Sequence, residues 1–147
     1  MGYKKSNFDF HMARILAIDY GRKRTGLAVT DPLQIISTAL STVESKVLIP
    51  FLKDYLQKEE VEIFVLGMPK TLSNEDSENA KYVKLFSELL KKEFPNIPVV
   101  YADERFTSSI AKQTMIDGGM KKKDRRDKSN VDKISATLIL QTYMESK

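Results

Sequence analysis

Four acidic residues stand at positions where a solvated surface charge is not expected. Asp19 ends one apolar run of the sequence, and Asp103 and Glu104 end another. Asp132 falls on a predicted helix, where the other residues of its stripe are apolar. Mg²⁺ and Mn²⁺ prefer carboxylate oxygens, and two such ions about 3.5–4 Å apart can support hydrolysis of a phosphodiester. If the chain folds these acids together, the pattern predicts a metal centre for phosphodiester chemistry.

Each of these acids also has a simpler interpretation. Asp19 could accept hydrogen bonds from the backbone of the glycine turn that follows it. Asp103 could cap the next helix or pair with Arg105. Asp132 fits the end of a capping box that starts at Ser129. The metal hypothesis depends on the combination, because all the sites fall at places that one sheet could bring together.

The composition excludes several other kinds of site. The chain has 147 residues, no cysteine and one histidine, His11. Disulfides, thiolate metal sites and a Ser-His-Asp system are therefore not expected. No stretch approaches the roughly 20 apolar residues that cross a bilayer. We expect residues 13–147 to form a single domain acting in the cytoplasm, and residues 1–12 to be a tail that could derive from a vector.

Hydrophobic periodicity predicts the elements that must position the acids. The predicted strands are residues 14–19, 26–30, 35–43, 62–66 and 97–102. The predicted helices are residues 45–58, 80–94, 107–117 and 130–145. Three successive strands predict an antiparallel meander, and strands that alternate with helices predict parallel pairing. The expected fold is an α/β domain with a mixed five-stranded sheet flanked by helices.

The segments that carry these acids resemble a known family. Asp-Tyr-Gly at 19–21, followed by Arg24 through Asp31, resembles the signature D-Y-G-x-x-R-x-G-x-A-V-x-D of the YqgF/RuvX-type family. Its members are described as Holliday junction resolvases and as pre-16S ribosomal RNA nucleases. Residues 66–69 are similar to its G-x-P loop, residues 103–107 to its D-E-R-x-[ST] motif, and residues 132–141 to its closing helix. The resemblance covers residues 14–144 in the right order and spacing.

This resemblance implies a ribonuclease-H-like fold and Mg²⁺-dependent cleavage of a phosphodiester. It implies metal carboxylates at Asp19, Glu104 and Asp132. Asp103 is the alternative at the second position, because neighbouring residues of a strand point to opposite faces. The expected cofactor is Mg²⁺ or Mn²⁺, with two ions. The implied roles are trimming the 5′ end of the pre-16S ribosomal RNA or resolving four-way DNA junctions.

Basic residues flank the acids and predict a nucleic-acid contact. Seven basic and three acidic residues between positions 118 and 133 account for the whole formal net charge of +4. A solvated loop is the alternative interpretation of such a charge run. The predicted phosphate contacts are Arg22, Lys23, Arg24, Arg105, Lys121, Lys122, Lys123, Arg125, Arg126 and Lys128. The partner would be structured RNA or branched DNA; a monomer or a homodimer would fit, and two symmetric cuts in a junction would favour the dimer.

Two other functions compete with a nuclease. The hairpin with Asp19 also resembles the phosphate loop of the actin and sugar-kinase superfamily, but those proteins clamp ATP between two domains. A non-catalytic RNA-binding factor in ribosome assembly would use the basic loop and leave the carboxylates structural. Metal-dependent cutting that is abolished by Asp19→Asn would favour the nuclease.

Overall fold

The computed structural model describes residues 13–68, 78–103 and 128–146, and for residues 103 and 128–130 it describes the backbone alone. The strands are β1 (Arg14–Asp19), β2 (Arg24–Thr30), β3 (Ser37–Glu44), β4 (Val61–Met68) and β5 (Val99–Asp103). The helices are α1 (Leu48–Lys58), α2 (Ala80–Glu93) and α3 (Lys128–Glu145), with a short 3-10 turn at Ser45–Val47 before α1. The predicted tail at 1–12 and the predicted helix at 107–117 lie outside the described residues.

All five strands form one sheet in the order β3-β2-β1-β4-β5. The pairs β1–β2 and β2–β3 are antiparallel, whereas β1–β4 and β4–β5 are parallel. This confirms the predicted mixed sheet, with an antiparallel meander and two further parallel strands. β1 is central, and it is apolar on both faces because helices cover it on both sides.

The two faces of the sheet carry separate apolar clusters. One face packs on α1 and α2, and it includes Leu16, Ile18, Leu27, Phe64 and Leu66. The other face packs on α3 through Ala136, Ile139 and Leu140, and its strand residues are Ile15, Ala17, Ala28 and Val65. Side chains alternate along a strand, so each position of β1 and β2 can be assigned to one face. We call the second surface the α3 face.

The predicted bounds of the third strand are wrong at its start, for a reason visible in the loop before it. The carboxylate of Asp31 accepts hydrogen bonds from the backbone N–H of Leu33, Ile35 and Ile36, at 3.2, 2.8 and 2.7 Å. The backbone donors of residues 35 and 36 are therefore used inside the loop. The strand begins only at Ser37, where pairing with Thr30 starts.

The first helix also begins later than its apolar pattern predicts. Its regular α-helical part starts at Leu48, after the 3-10 turn. Pro50 then lies in the first turn, where its missing N–H would have had no partner within the helix. Within the described ranges, no helix is long and apolar enough to cross a membrane.

Candidate active site

The parallel strands place the predicted acids at one edge of the sheet. β1 ends at Asp19 and β5 ends at Asp103, and both strands run parallel to β4, which lies between them. Ile18 is paired with Leu66, and Met68 with Asp103. With neighbouring strands about 4.8 Å apart, the backbones at the ends of β1 and β5 are separated by roughly 10 Å across the sheet. The prediction that these two strands end at the same edge of the sheet is therefore confirmed.

Gly26 joins the end of β1 to α3. It pairs with Asp19 across the antiparallel ladder, so both positions lie on the α3 face. A Cβ atom built on Gly26 would lie 2.1 Å from the carbonyl oxygen and 3.1 Å from the Cβ of Asp132. Since residues directly opposite in a ladder have Cβ positions about 4.5–5.5 Å apart, the Cβ atoms of Asp19 and Asp132 lie within roughly 9 Å of each other. The absence of a side chain at Gly26 is what allows this approach.

Asp132 contacts the sheet, as its place on an apolar stripe predicts. Its Oδ2 accepts a charge-assisted hydrogen bond from Nε of Arg24, at 3.2 Å. The capping-box alternative does not agree with the helix bounds, because α3 already includes Lys128 and Ser129 therefore lies inside the helix. Both side chains of the Arg24–Asp132 pair are partly exposed, so solvent screens their attraction. Arg24, predicted to contact phosphate, thus faces the candidate site as well.

The turn between β1 and β2 is held by Ser45. Its Oγ donates to the carbonyl oxygen of Gly21 and lies 2.8 Å from Oγ1 of Thr25, while its backbone N–H donates to the carbonyl of Lys23 at 2.8 Å. A Cβ on Gly21 would lie 2.5 Å from the carbonyl oxygen of Arg24, so the turn closes too tightly for a larger residue. These contacts fix the basic turn beside Asp19.

A basic groove runs along this turn. It has a volume of about 430 Å³, and its lining residues are Arg22, Lys23, Arg24, Glu44 and Lys46. The first three were predicted as phosphate contacts. Lys46 was missed, because nothing in the local sequence indicates that the 3-10 turn after β3 lies against the first hairpin.

α2 begins next to the end of β1. The ring of Tyr20 stacks on Phe86, with centroids 4.5 Å apart and an interplanar angle of 11°. Nδ2 of Asn79 donates to the carbonyl oxygen of Tyr20 at 3.3 Å. Arg22 lies over the ring of Tyr82, its Cζ 4.5 Å from the centroid. Tyr82 therefore belongs to the surroundings of the site, although sequence reasoning assigned it no role.

Asp31 is part of the sequence signature but not of this site. β2 runs antiparallel to β1, so its C-terminal end lies at the opposite edge of the sheet from Asp19. The backbone N–H of Ile36, together with those of Ile35 and Leu33, lowers the pKa of the Asp31 carboxyl below its ordinary value. The structure thus gives Asp31 a role in shaping the β2–β3 loop.

Several predicted site residues fall outside the part of the chain that the structure describes. They are Glu104, Arg105 and the basic residues between 121 and 126, and Lys128 is described only as the first residue of α3. Among the described side chains, no group of three acids or histidines is close enough to form a complete metal site. Asp19 and Asp132 are the two predicted acids whose side chains are described, and both adjoin Gly26.

The described strands and helices have the arrangement of a ribonuclease-H-like fold, a mixed five-stranded sheet flanked by helices. Two structures of Thermus thermophilus RuvC are similar to the chain, one of them a complex with a Holliday junction substrate. The complex has a TM-score of 0.55 and 17% identity, covering 91% of this chain and 96% of that one. The other has a TM-score of 0.54 and 14% identity, covering 90% and 96%. At this identity, the likeness shows the fold.

The family follows from sequence comparison. Residues 13–146 match the model of the RuvX family, described as "Holliday junction resolvase". The chain belongs to this family. It is 57% identical over 136 residues to a protein of Bacteroides thetaiotaomicron, covering 92% of this chain and 99% of that protein. It is 53% identical over 135 residues to one of Porphyromonas gingivalis, covering 92% and 98%. Both relatives carry the name "Putative pre-16S rRNA nuclease".

Proposed function

We propose that this protein is a divalent-metal-dependent nuclease that hydrolyses a phosphodiester in the 5′ processing of pre-16S ribosomal RNA, in the cytoplasm where that precursor is made. The relatives that are 50–57% identical to the chain carry the pre-16S nuclease name, and the RuvX family itself is described by junction resolution. The resolution of a four-way DNA junction is therefore the second candidate.

One observation carries the metal hypothesis. Asp19 and Asp132 come from distant parts of the chain, and both adjoin Gly26 on the α3 face. Their Cβ atoms lie within roughly 9 Å of each other, so both carboxylates can reach one site between them. Mg²⁺ and Mn²⁺ bind such hard oxygen ligands, and for Mg²⁺ the bonds are about 2.0–2.1 Å long. Bound there, the ions would supply an activated water and neutralise charge on the leaving oxygen. Asp19 and Asp132 would hold them.

The alternation of β5 favours Glu104 over Asp103 as the third ligand. Val100 and Ala102 pack with the α3-face cluster, whereas Tyr101 donates a hydrogen bond to Ser87 of α2, at 2.6 Å, on the opposite side of the sheet. An extended chain repeats its facing every two residues, so if the extended conformation of β5 continues one residue past Asp103, the next position in the series of Val100 and Ala102 is 104. We therefore assign the third carboxylate to Glu104.

The basic groove gives the nucleic acid a place to bind. Arg22, Lys23 and Lys46 line it next to the turn that follows Asp19. Contacts from such residues to phosphates fix the position of a strand without reading its sequence. We include Arg105 and the basic residues at 121–126 and 128 in the same interface. Binding should therefore weaken steeply as the salt concentration rises.

The variant Asp19→Asn tests the assignment. It removes a ligand charge and keeps the shape of the side chain. Substituting a residue that merely supports a metal ligand already costs about 10- to 100-fold, so we expect a loss of more than ~100-fold in Mg²⁺- or Mn²⁺-dependent cleavage. Asp54→Asn is the matched control, because Asp54 is an exposed residue of α1 paired with Lys58, and its activity should equal that of the wild type.

A second readout does not need a substrate. If Asp19 binds the metal, Mg²⁺ should raise the Tm of the wild type and of Asp54→Asn, but much less that of Asp19→Asn, because a ligand stabilises the folded state that binds it. A precursor with the 5′ leader and a four-way DNA junction are then offered to the wild type in parallel. Cleavage by Asp19→Asn at the rate of the wild type would reject the metal site. Cleavage of the junction alone would reject the ribosomal RNA substrate.

A further inference from the structure

A basic and aromatic patch adjoins the candidate active site on the side of α2. It surrounds a cavity of about 660 Å³ whose lining includes Arg22, Lys81, Tyr82 and Lys84, together with one carboxylate, Glu78. Arg22, Lys81 and Lys84 are exposed, and Tyr82 is half-buried. Three cationic side chains and one aromatic ring in the lining of a single cavity are the chemistry of a site for nucleotides rather than for a neutral ligand.

Two cationic side chains of this patch, Arg22 and Lys81, contact the ring of Tyr82. The Arg22 Cζ lies 4.5 Å from the ring centroid, and its Nη1 donates to the Tyr82 hydroxyl at 3.4 Å. Nζ of Lys81 lies 5.1 Å from the same centroid. The ring thus holds a guanidinium plane in place on an exposed surface, which lowers the entropy that a ligand must overcome to order it.

The patch is fixed relative to the active site. Tyr20 lies between Asp19 and Arg22 in sequence, and it is anchored to α2 by its stack on Phe86 and by the hydrogen bond from Asn79. Three residues of chain span at most about 11 Å, so the backbone of Arg22 lies within that distance of the backbone of Asp19. At a rise of about 3.4 Å per nucleotide in a stacked strand, this is roughly three nucleotides.

We propose that this patch binds an unpaired stretch of nucleic acid next to the cleavage site. A base would stack on the Arg22 guanidinium that Tyr82 orients, and Lys81 and Lys84 would bind the neighbouring phosphates. This proposal rests on the proposed nuclease function and adds a substrate class to it, namely nucleic acid that is single-stranded near the scissile bond. Bases of an intact duplex are already stacked on each other, so they cannot use the guanidinium in this way.

Binding is measured by fluorescence anisotropy with the full chain in EDTA. The probes are a single strand of about 12 nucleotides, long enough for one such site, and the matching duplex, each as RNA and as DNA. Arg22→Lys keeps the charge and removes the planar group. We expect Arg22→Lys and Tyr82→Ala each to weaken single-strand binding by about 10-fold, within the range for one stacked base. Duplex binding should change less than about 2-fold on the same grounds. Tyr82→Phe, which keeps the ring, should retain single-strand binding.

The lysines have a separate readout. For single strands, each phosphate neutralised by the protein contributes about 0.7 to the slope of log K against log salt, so Lys81→Ala and Lys84→Ala combined should reduce that slope by about 1.4. The control Lys58→Ala, on α1, should leave the slope unchanged. Unaltered single-strand affinity in Arg22→Lys, whose site is exposed and whose folding is not at risk, would overturn the proposal. Equal weakening of duplex and single-strand binding would overturn it as well.

The outcome is independent of cleavage. The binding experiment contains no divalent metal, and Arg22 and Tyr82 are not proposed as metal ligands. Single-strand binding that depends on Arg22, in a protein that cuts nothing, would reject the nuclease function and leave the patch. Cleavage that depends on Asp19, with no effect of Arg22→Lys on single-strand binding, would reject the binding patch and leave the nuclease function.

Discussion

Replacing Gly26 with alanine tests the contact on which both the fold and the candidate site depend. The backbone at Gly26 lies outside the left-handed region. By itself, the change should therefore stabilise the protein by roughly 0.4–1 kcal/mol, because alanine restricts the unfolded chain. The structure predicts the opposite sign, because the added Cβ would lie 2.1 Å from the carbonyl oxygen of Asp132.

The size of the effect follows from that distance. Cβ atoms essentially never lie closer than 3.0 Å to an atom that is not bonded to them or to a neighbour in the chain. The part of α3 around Asp132 must therefore move away from β2 by about 1 Å. The conflict is with backbone, which cannot rotate aside as a side chain can. Overpacking of this kind costs about 1–3 kcal/mol, which for a chain of this size lowers the Tm by roughly 3–10 °C. A displacement of Asp132 by about 1 Å should also reduce cleavage by about 100-fold.

The assay compares thermal unfolding and metal-dependent cleavage in Gly26→Ala and in a control. Ala39→Gly, on the exposed edge strand β3, is the reverse exchange at a position away from the candidate site. It should cost about 0.5–1 kcal/mol, as glycine does in a strand, and leave cleavage unchanged. A Gly26→Ala protein that is as stable as the wild type and cleaves within about 3-fold of it, far from the effect expected of a misplaced ligand, would refute the close packing of α3 on Gly26 and the role given to Asp132.

Two further predictions concern stability. Ser135 is 2% exposed, and its Oγ has no hydrogen-bond partner among the described residues. Ser135→Ala removes this desolvated hydroxyl, so it should raise the free energy of unfolding by about 1 kcal/mol. A lower Tm than that of the wild type would contradict this prediction. Asp31→Ala should lower the Tm at pH 7 by removing the acceptor for three backbone N–H groups, whereas Asp31→Asn should lower it less. Because the folded pKa of Asp31 is depressed, its contribution to stability is complete above the unfolded pKa of about 3.9 and decreases as the pH falls through the folded pKa. Denaturant unfolding at about pH 7 and pH 3 should therefore show that the difference in unfolding free energy between wild type and Asp31→Ala becomes smaller at the lower pH. A difference that became larger at the lower pH would contradict this sign.

Much of the architecture could be predicted because the sequence carries it locally. The apolar run at 14–19 is the structure's β1 residue for residue, and the periodicity after Asn79 gives α2 within one residue of its end. Three strands in succession and two strands separated by helices leave few topologies, and the observed strand order is among them. The family resemblance covered nearly the whole chain, and the family match confirms it.

The ends of the elements were less predictable, because they depend on contacts that a periodicity does not contain. Ile35 and Ile36 suit a strand by residue type, yet their N–H groups bind the Asp31 carboxylate. Both residues belong to the loop, and their side chains are exposed. Sequence reasoning ended the second predicted strand at residue 30 and gave no signal that the side chain of Asp31 organises the next five residues.

By itself, the sequence determined which residues could carry the chemistry: carboxylates at strand ends, glycines beside them, and arginines and lysines within a few positions. The tertiary structure decided which of them meet. Arg24 and Asp132 are 108 positions apart. Tyr82 contacts Arg22 where α2 packs against the end of β1, next to the stack of Tyr20 on Phe86. The physical reason is that local periodicity fixes the face on which a side chain lies, whereas the partner on that face depends on how helices pack on the sheet. Gly26 is where that packing brings Asp132 to Asp19.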